Sequence, residues 1–125
     1  MSRYLLIALG GALGAMARYA VGAWASQRFG PRFPVGTFLI NLSACFLIGL
    51  TIEYLNRHTG LSPTWRFLIP TGFIGAYSTF STFEFEAWAD YTRGAYWIGF
   101  TYVVASVVFG FLLVAAGAAA ARAIR

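Results

Sequence analysis

With 59% hydrophobic residues, 10% charged residues and a mean hydropathy of +0.69 over 125 residues, the chain cannot cover a soluble surface, which usually carries about 25% charge. It reads as an all-α integral membrane protein: one domain over residues 1–125, with room for four spans of ~20 residues. The net charge of +5 comes from nine arginines set singly along the chain, which excludes the basic runs of a nucleic-acid binder.

Residues 4–27 predict the first span. Gly10 and Gly14 have the small-xxx-small spacing that lets another helix come close. The apolar run continues past Arg18 and is too long for a cleaved signal peptide. An arginine at the centre of a span costs about 2.5–3.5 kcal/mol, so Arg18 either snorkels to the interface or faces a watery vestibule that attracts anions. Gly30, Pro31 and Pro34 then mark a loop. Residues 35–55 predict the second span. Asn41 and Ser43 lie within it, and a carboxamide in hydrocarbon needs partners. Asn41 is either glue between helices or part of a pore lining. Cys45, the single cysteine, reads as a small buried hydrophobe. Glu53 and Arg57 form an i,i+4 pair at the span's exit. His58 stands alone in the next loop, with no companions to make it a metal ligand.

Residues 64–88 predict the third hydrophobic segment, which is badly suited to a plain helix. Trp65 and Arg66 anchor its start at the interface, and Pro70 predicts a kink. Gly72 and Gly75 loosen the backbone, and Ser78, Thr79, Ser81 and Thr82 compete for its hydrogen bonds. The segment therefore reads as a helix broken around Gly75 to Ser78, near mid-membrane. Irregular backbone survives at that depth only when it is buried in protein or lines a watery cavity. The stretch is either a tight packing seam or a site that handles an ion. Phe80 and Phe83 share a face if the chain is helical there. Glu86 follows in an acidic, aromatic run, as part of a solvated helix end or as the guard of a vestibule. Residues 95–121 predict the fourth span, with Tyr102 and Ser106 on one face and Ser106 and Gly110 as a further small-residue seam.

Four spans place Arg3, Arg57, Arg66, Arg122 and Arg125 on one side of the membrane. Arg28, Arg32 and Arg93 lie on the other, with Arg18 tilted toward it. So weak a positive-inside bias suits a chain that inserts both ways up and pairs as an antiparallel homodimer. Four thin helices rich in small residues also need partners to enclose a polar track.

Three runs together strongly resemble the Fluc (CrcB) family of bacterial fluoride channels: Gly10 to Tyr19, Gly36 to Leu42, and Thr71 to Phe83 with its Ser-Thr-Phe-Ser-Thr-Phe core. The resemblance extends over essentially the whole chain. It implies a dual-topology antiparallel homodimer with two pores in the bacterial inner membrane, passing fluoride out of the cytoplasm without energy input. It also implies that Phe80 and Phe83 offer ring edges to the anion. Asn41, Ser81, Thr82 and Ser106 would line the pore, and Arg18 and Glu86 the vestibules. Backbone carbonyls of Gly75 and Ser78, two from each subunit, would hold a structural sodium ion that is not transported. Ala76-Tyr77 departs from the small or aliphatic residues many members carry there. Carbonyl coordination does not depend on side chains, so the departure bears on packing.

The chemistry suits that expectation. Fluoride is small and strongly hydrated, and hydroxyls and carboxamides are donors that replace water. Aromatic edges attract anions weakly, and several weak sites favour conduction over trapping. Two rivals make less of the residues. A small exporter of organic cations usually needs a carboxylate embedded in an early span, and the first span has none. A membrane scaffold leaves Gly72 to Phe83 unexplained. No nucleophile–base pair, metal cluster or nucleotide loop suggests an enzyme.

Overall fold

In hydrocarbon every backbone N–H and C=O must find its partner within the protein, which leaves helices as the economical solution for a chain this apolar. The computed structural model describes residues 1–125 and is helical almost throughout. Helix α1 spans Arg3–Phe29; it ends at Gly30, whose φ of 73° suits glycine. Helix α2 spans Val35–Arg57, directly behind Pro34. The third segment has four parts. Helix α3 (Thr64–Arg66) leads into a π-helix over Phe67–Ile74, and α4 (Gly75–Tyr77) closes that half. After a gap, α5 spans Phe80–Thr92. Helix α6 spans Tyr96–Ala123.

Helices α1, α2 and α6 are each long and apolar enough to cross a membrane. The third segment is divided into two halves by a break at Ser78 and Thr79, as its glycines and hydroxyls foretell. Pro70 lies inside the π-helix. Proline has no N–H to donate and crowds the carbonyl four residues back, and the wider π turn relieves both problems. The expected kink therefore takes the form of a widened helix.

Small residues set the packing. A side chain at Gly10 would overlap the Leu68 carbonyl, and one at Gly14 the Phe73 carbonyl, so α1 lies directly against the π-helix backbone. Gly49 in α2 faces the Val114 carbonyl of α6, and Gly117 in α6 faces the Phe46 carbonyl of α2. The Gly49/Gly117 seam is tighter than the expected one at Gly110, where an added side chain would lie 3.2 Å from Cys45 Sγ. Ile40, Ala44, Ile74 and Tyr77 form the buried centre where α2 meets the end of α4.

One expected pairing is replaced by another. Glu53 does not pair with Arg57; its Oε1 accepts from Arg122 Nε at 2.9 Å, because the end of α6 returns beside the end of α2. His58 closes α2: its ring stacks on Tyr54 at 4.1 Å, and its Nδ1 lies 2.9 Å from the Tyr54 carbonyl oxygen.

Candidate functional site

The site is built around two residues. Ser78 and Thr79 are extended, with ψ of 158° and 112°, and they interrupt the helix between α4 and α5. Each side chain repairs part of the ladder. Ser78 Oγ donates back to the Ile74 carbonyl at 3.1 Å. Thr79 caps α5: its Oγ1 accepts from the Thr82 N–H at 3.3 Å and donates to Thr82 Oγ1 at 2.9 Å. The cluster of hydroxyls thus stabilises the break itself.

Asn41 binds the break from α2. Its Nδ2 donates to the Thr79 carbonyl at 2.9 Å, and its Oδ1 accepts from the Thr79 N–H at 2.8 Å. Both Thr79 backbone groups, which an unbroken helix would satisfy, are therefore met by one carboxamide. Arg18 approaches from α1, its guanidinium donating to the Ser78 carbonyl at 3.3 Å. The break exposes that carbonyl, which gives the cation a partner inside the protein.

A cavity of about 380 Å³ opens on the break. It brings together Asn41, Gly75, Ser78, Phe80, Phe83 and Ser106. Phe83 is buried and Phe80 is 74% exposed on the protomer surface, with ring centroids 6.0 Å apart. Ser106 Oγ is buried without a hydrogen-bond partner. In hydrocarbon such a hydroxyl is costly unless something uses it.

Ser81 and Thr82 do not line this cavity and are both exposed. Thr82 lines a neighbouring cavity of about 560 Å³ with Arg18, Thr37 and Thr79. A third, of about 330 Å³, is lined by Thr37, Glu86, Asp90 and Arg93. Thr79 is common to the first two and Thr37 to the last two. The three adjoin in sequence, from a polar end at Arg93 to a largely apolar one at the phenylalanines.

Glu86 is not at a solvated helix end. Thr37 Oγ1 donates to its Oε1 at 2.6 Å, and Tyr102 OH to its Oε2 at 3.1 Å. The Tyr102 ring, fully buried, stands edge-on to Phe83 at 5.0 Å and an interplanar angle of 83°. One side chain thus ties the carboxylate to the orientation of the inner phenylalanine. Thr37 and Thr79 were not singled out as site residues from the sequence. The spacing of Thr37 and Asn41, four apart on α2, is the signal that places them on one face.

A multi-pass helical membrane protein, with a broken segment and a cavity at the break that adjoins more polar ones, has the build of an ion pathway. Residues 5–118 match the family described as CrcB-like protein, Camphor Resistance (CrcB). A relative from Acidobacterium capsulatum, a fluoride-specific ion channel FluC, is 54% identical over 90% of each chain. Relatives of the same description are 46% identical in Solibacter usitatus, over 96% of this chain and 98% of theirs, and 45% identical in Rhizobium meliloti, over 98% of each. The chain belongs to the CrcB family, whose named relatives are ion channels and not enzymes.

Proposed function

We propose that this protein is a fluoride-selective passive channel that lets fluoride leave the cytoplasm of a bacterial cell, working as an antiparallel homodimer in the inner membrane. The observation that carries the reading is the cavity at the break. It joins a free hydroxyl donor, Ser106, to two phenylalanines and a carboxamide-clamped backbone. The named relatives supply the ion.

The anion enters past Arg93 and Glu86 and meets the Arg18 guanidinium, which raises its local concentration. Hydroxyls then stand in for lost water, and the Phe80 and Phe83 edges carry it past the break without a strong trap. Tyr102 holds Phe83 edge-on. Phe80 lies open on a single protomer, which leaves the pathway one-sided until a second copy covers it.

The Gly75 and Ser78 carbonyls are the groups that would hold a structural sodium ion. Oxygen donors suit a hard cation, and an unwound turn supplies them. Gly75 lies exposed, so a second copy has access to the same point. The Ser78 carbonyl already accepts from Arg18, but a carbonyl oxygen has two lone pairs and accommodates both. The ion's role is positive charge and cohesion at the centre. In cells held in fluoride, fluorine NMR tests the direction of flow. Expressing the protein lowers cytoplasmic fluoride several-fold; equal accumulation with and without it would overturn the export reading.

A further inference from the structure

We propose that Tyr77 and Ser43 form a positioning pair that fixes the end of α4 against α2, and with it the carbonyls flanking the break. Tyr77 is the last helical residue before the gap. It is 7% exposed, and its ring stacks on Phe73 at 5.8 Å and 13°. Its hydroxyl lies 2.9 Å from Ser43 Oγ. Ser43 Oγ in turn donates to the Ile40 carbonyl at 3.0 Å. A serine hydroxyl has a single proton, and Ile40 takes it. The Tyr77 O–H is therefore the donor to Ser43, and the relay has one direction, from Tyr77 through Ser43 to Ile40.

The next residue, Asn41, holds Thr79 from the other side of the gap. One turn of α2 thus grips the broken segment on both sides, by a phenol before the gap and a carboxamide after it. Ser78, between the grips, bonds otherwise only to its own preceding turn and to Arg18. Without the phenol, no side-chain hydrogen bond from α2 reaches α4 itself. Its turn is then free to swing the Gly75 and Ser78 carbonyls.

The test compares Tyr77→Phe, Ser43→Ala and the double variant in the full-length protein. Phenylalanine keeps the stacking and the buried volume, so folding is preserved. Hydrogen exchange of peptides covering 74–83 quickens about two- to tenfold in Tyr77→Phe, the effect of one lost hydrogen bond, while residues 4–29 are unchanged. Ser43→Ala, which leaves a buried phenol without an acceptor, is the worse single variant, and the double variant returns to the level of Tyr77→Phe. Resting on the channel reading above, the sodium concentration for half-maximal fluoride flux rises by a similar factor in Tyr77→Phe, while flux at saturating sodium stays near the parent's. Unchanged exchange in 74–83, or additive effects of the two substitutions, would overturn the proposal. A parent protein that conducts no fluoride would remove the channel reading, and the exchange measurement would still decide the pair.

Discussion

Asn41 shows how one side chain makes a broken helix tenable in a bilayer. Two backbone groups that would otherwise be orphaned at Thr79 are both satisfied by its carboxamide. Asn41→Ala strands them both, at about 1–3 kcal/mol each. Asn41→Asp keeps an acceptor for the Thr79 N–H but turns a second oxygen toward the Thr79 carbonyl. The expected thermal stability in detergent is therefore lower in both variants than in the parent, with fluoride flux lowered in both. An alanine variant as stable as the parent would show that the clamp contributes nothing. The sequence left Asn41 open between glue and pore lining; in the structure it clamps the break and lines the cavity beside it.

The elements were largely legible. Four hydrophobic segments, their loops and a break near Ser78 follow from apolar run length, Gly and Pro punctuation and clustered hydroxyls, all of which act locally. What stayed hidden depends on which helices meet. The Glu53–Arg122 pair joins residues 69 apart in the chain, and no spacing rule reaches that far. The same holds for the Thr37–Glu86–Tyr102 cluster and for the grip of Asn41 on Thr79. Glycines mark where helices touch, but they do not name the partner. Gly14 meets the π-helix, and Gly49 meets α6 at its backbone. Gly14→Leu or Gly49→Leu drives a side chain into a facing carbonyl, so either variant loses most of the monodisperse protein on size exclusion. Gly60→Ala, in a loop with nothing within 4 Å, gives a parent-like yield. Normal recovery of Gly14→Leu would contradict the close contact between α1 and the π-helix.

At the scale of the whole molecule, burial is the telling quantity. Only 21 of 125 residues are buried, so one protomer has too little interior to enclose an ion path. Its apolar exterior suits lipid and a second copy. Four spans would divide the arginines other than Arg18 five against three between the two ends, a bias that gives insertion little reason to prefer one orientation. With Cys45 replaced by Ser, an Arg125→Cys variant is expected to label from outside the cell in about half of the molecules and from inside in the rest. Labelling from one side alone would contradict dual topology and the antiparallel pairing built on it.

Fluoride efflux from liposomes holding the purified protein, followed with a fluoride electrode, tests the central claim most directly. Sodium is present on both sides, with a chloride control and a Phe80→Ala variant run in parallel. Rapid fluoride efflux, little chloride efflux and loss of flux in the variant are the expected results. No fluoride efflux from the parent protein, or a variant that conducts as well as the parent, would contradict a fluoride pathway at the Ser78–Thr79 break.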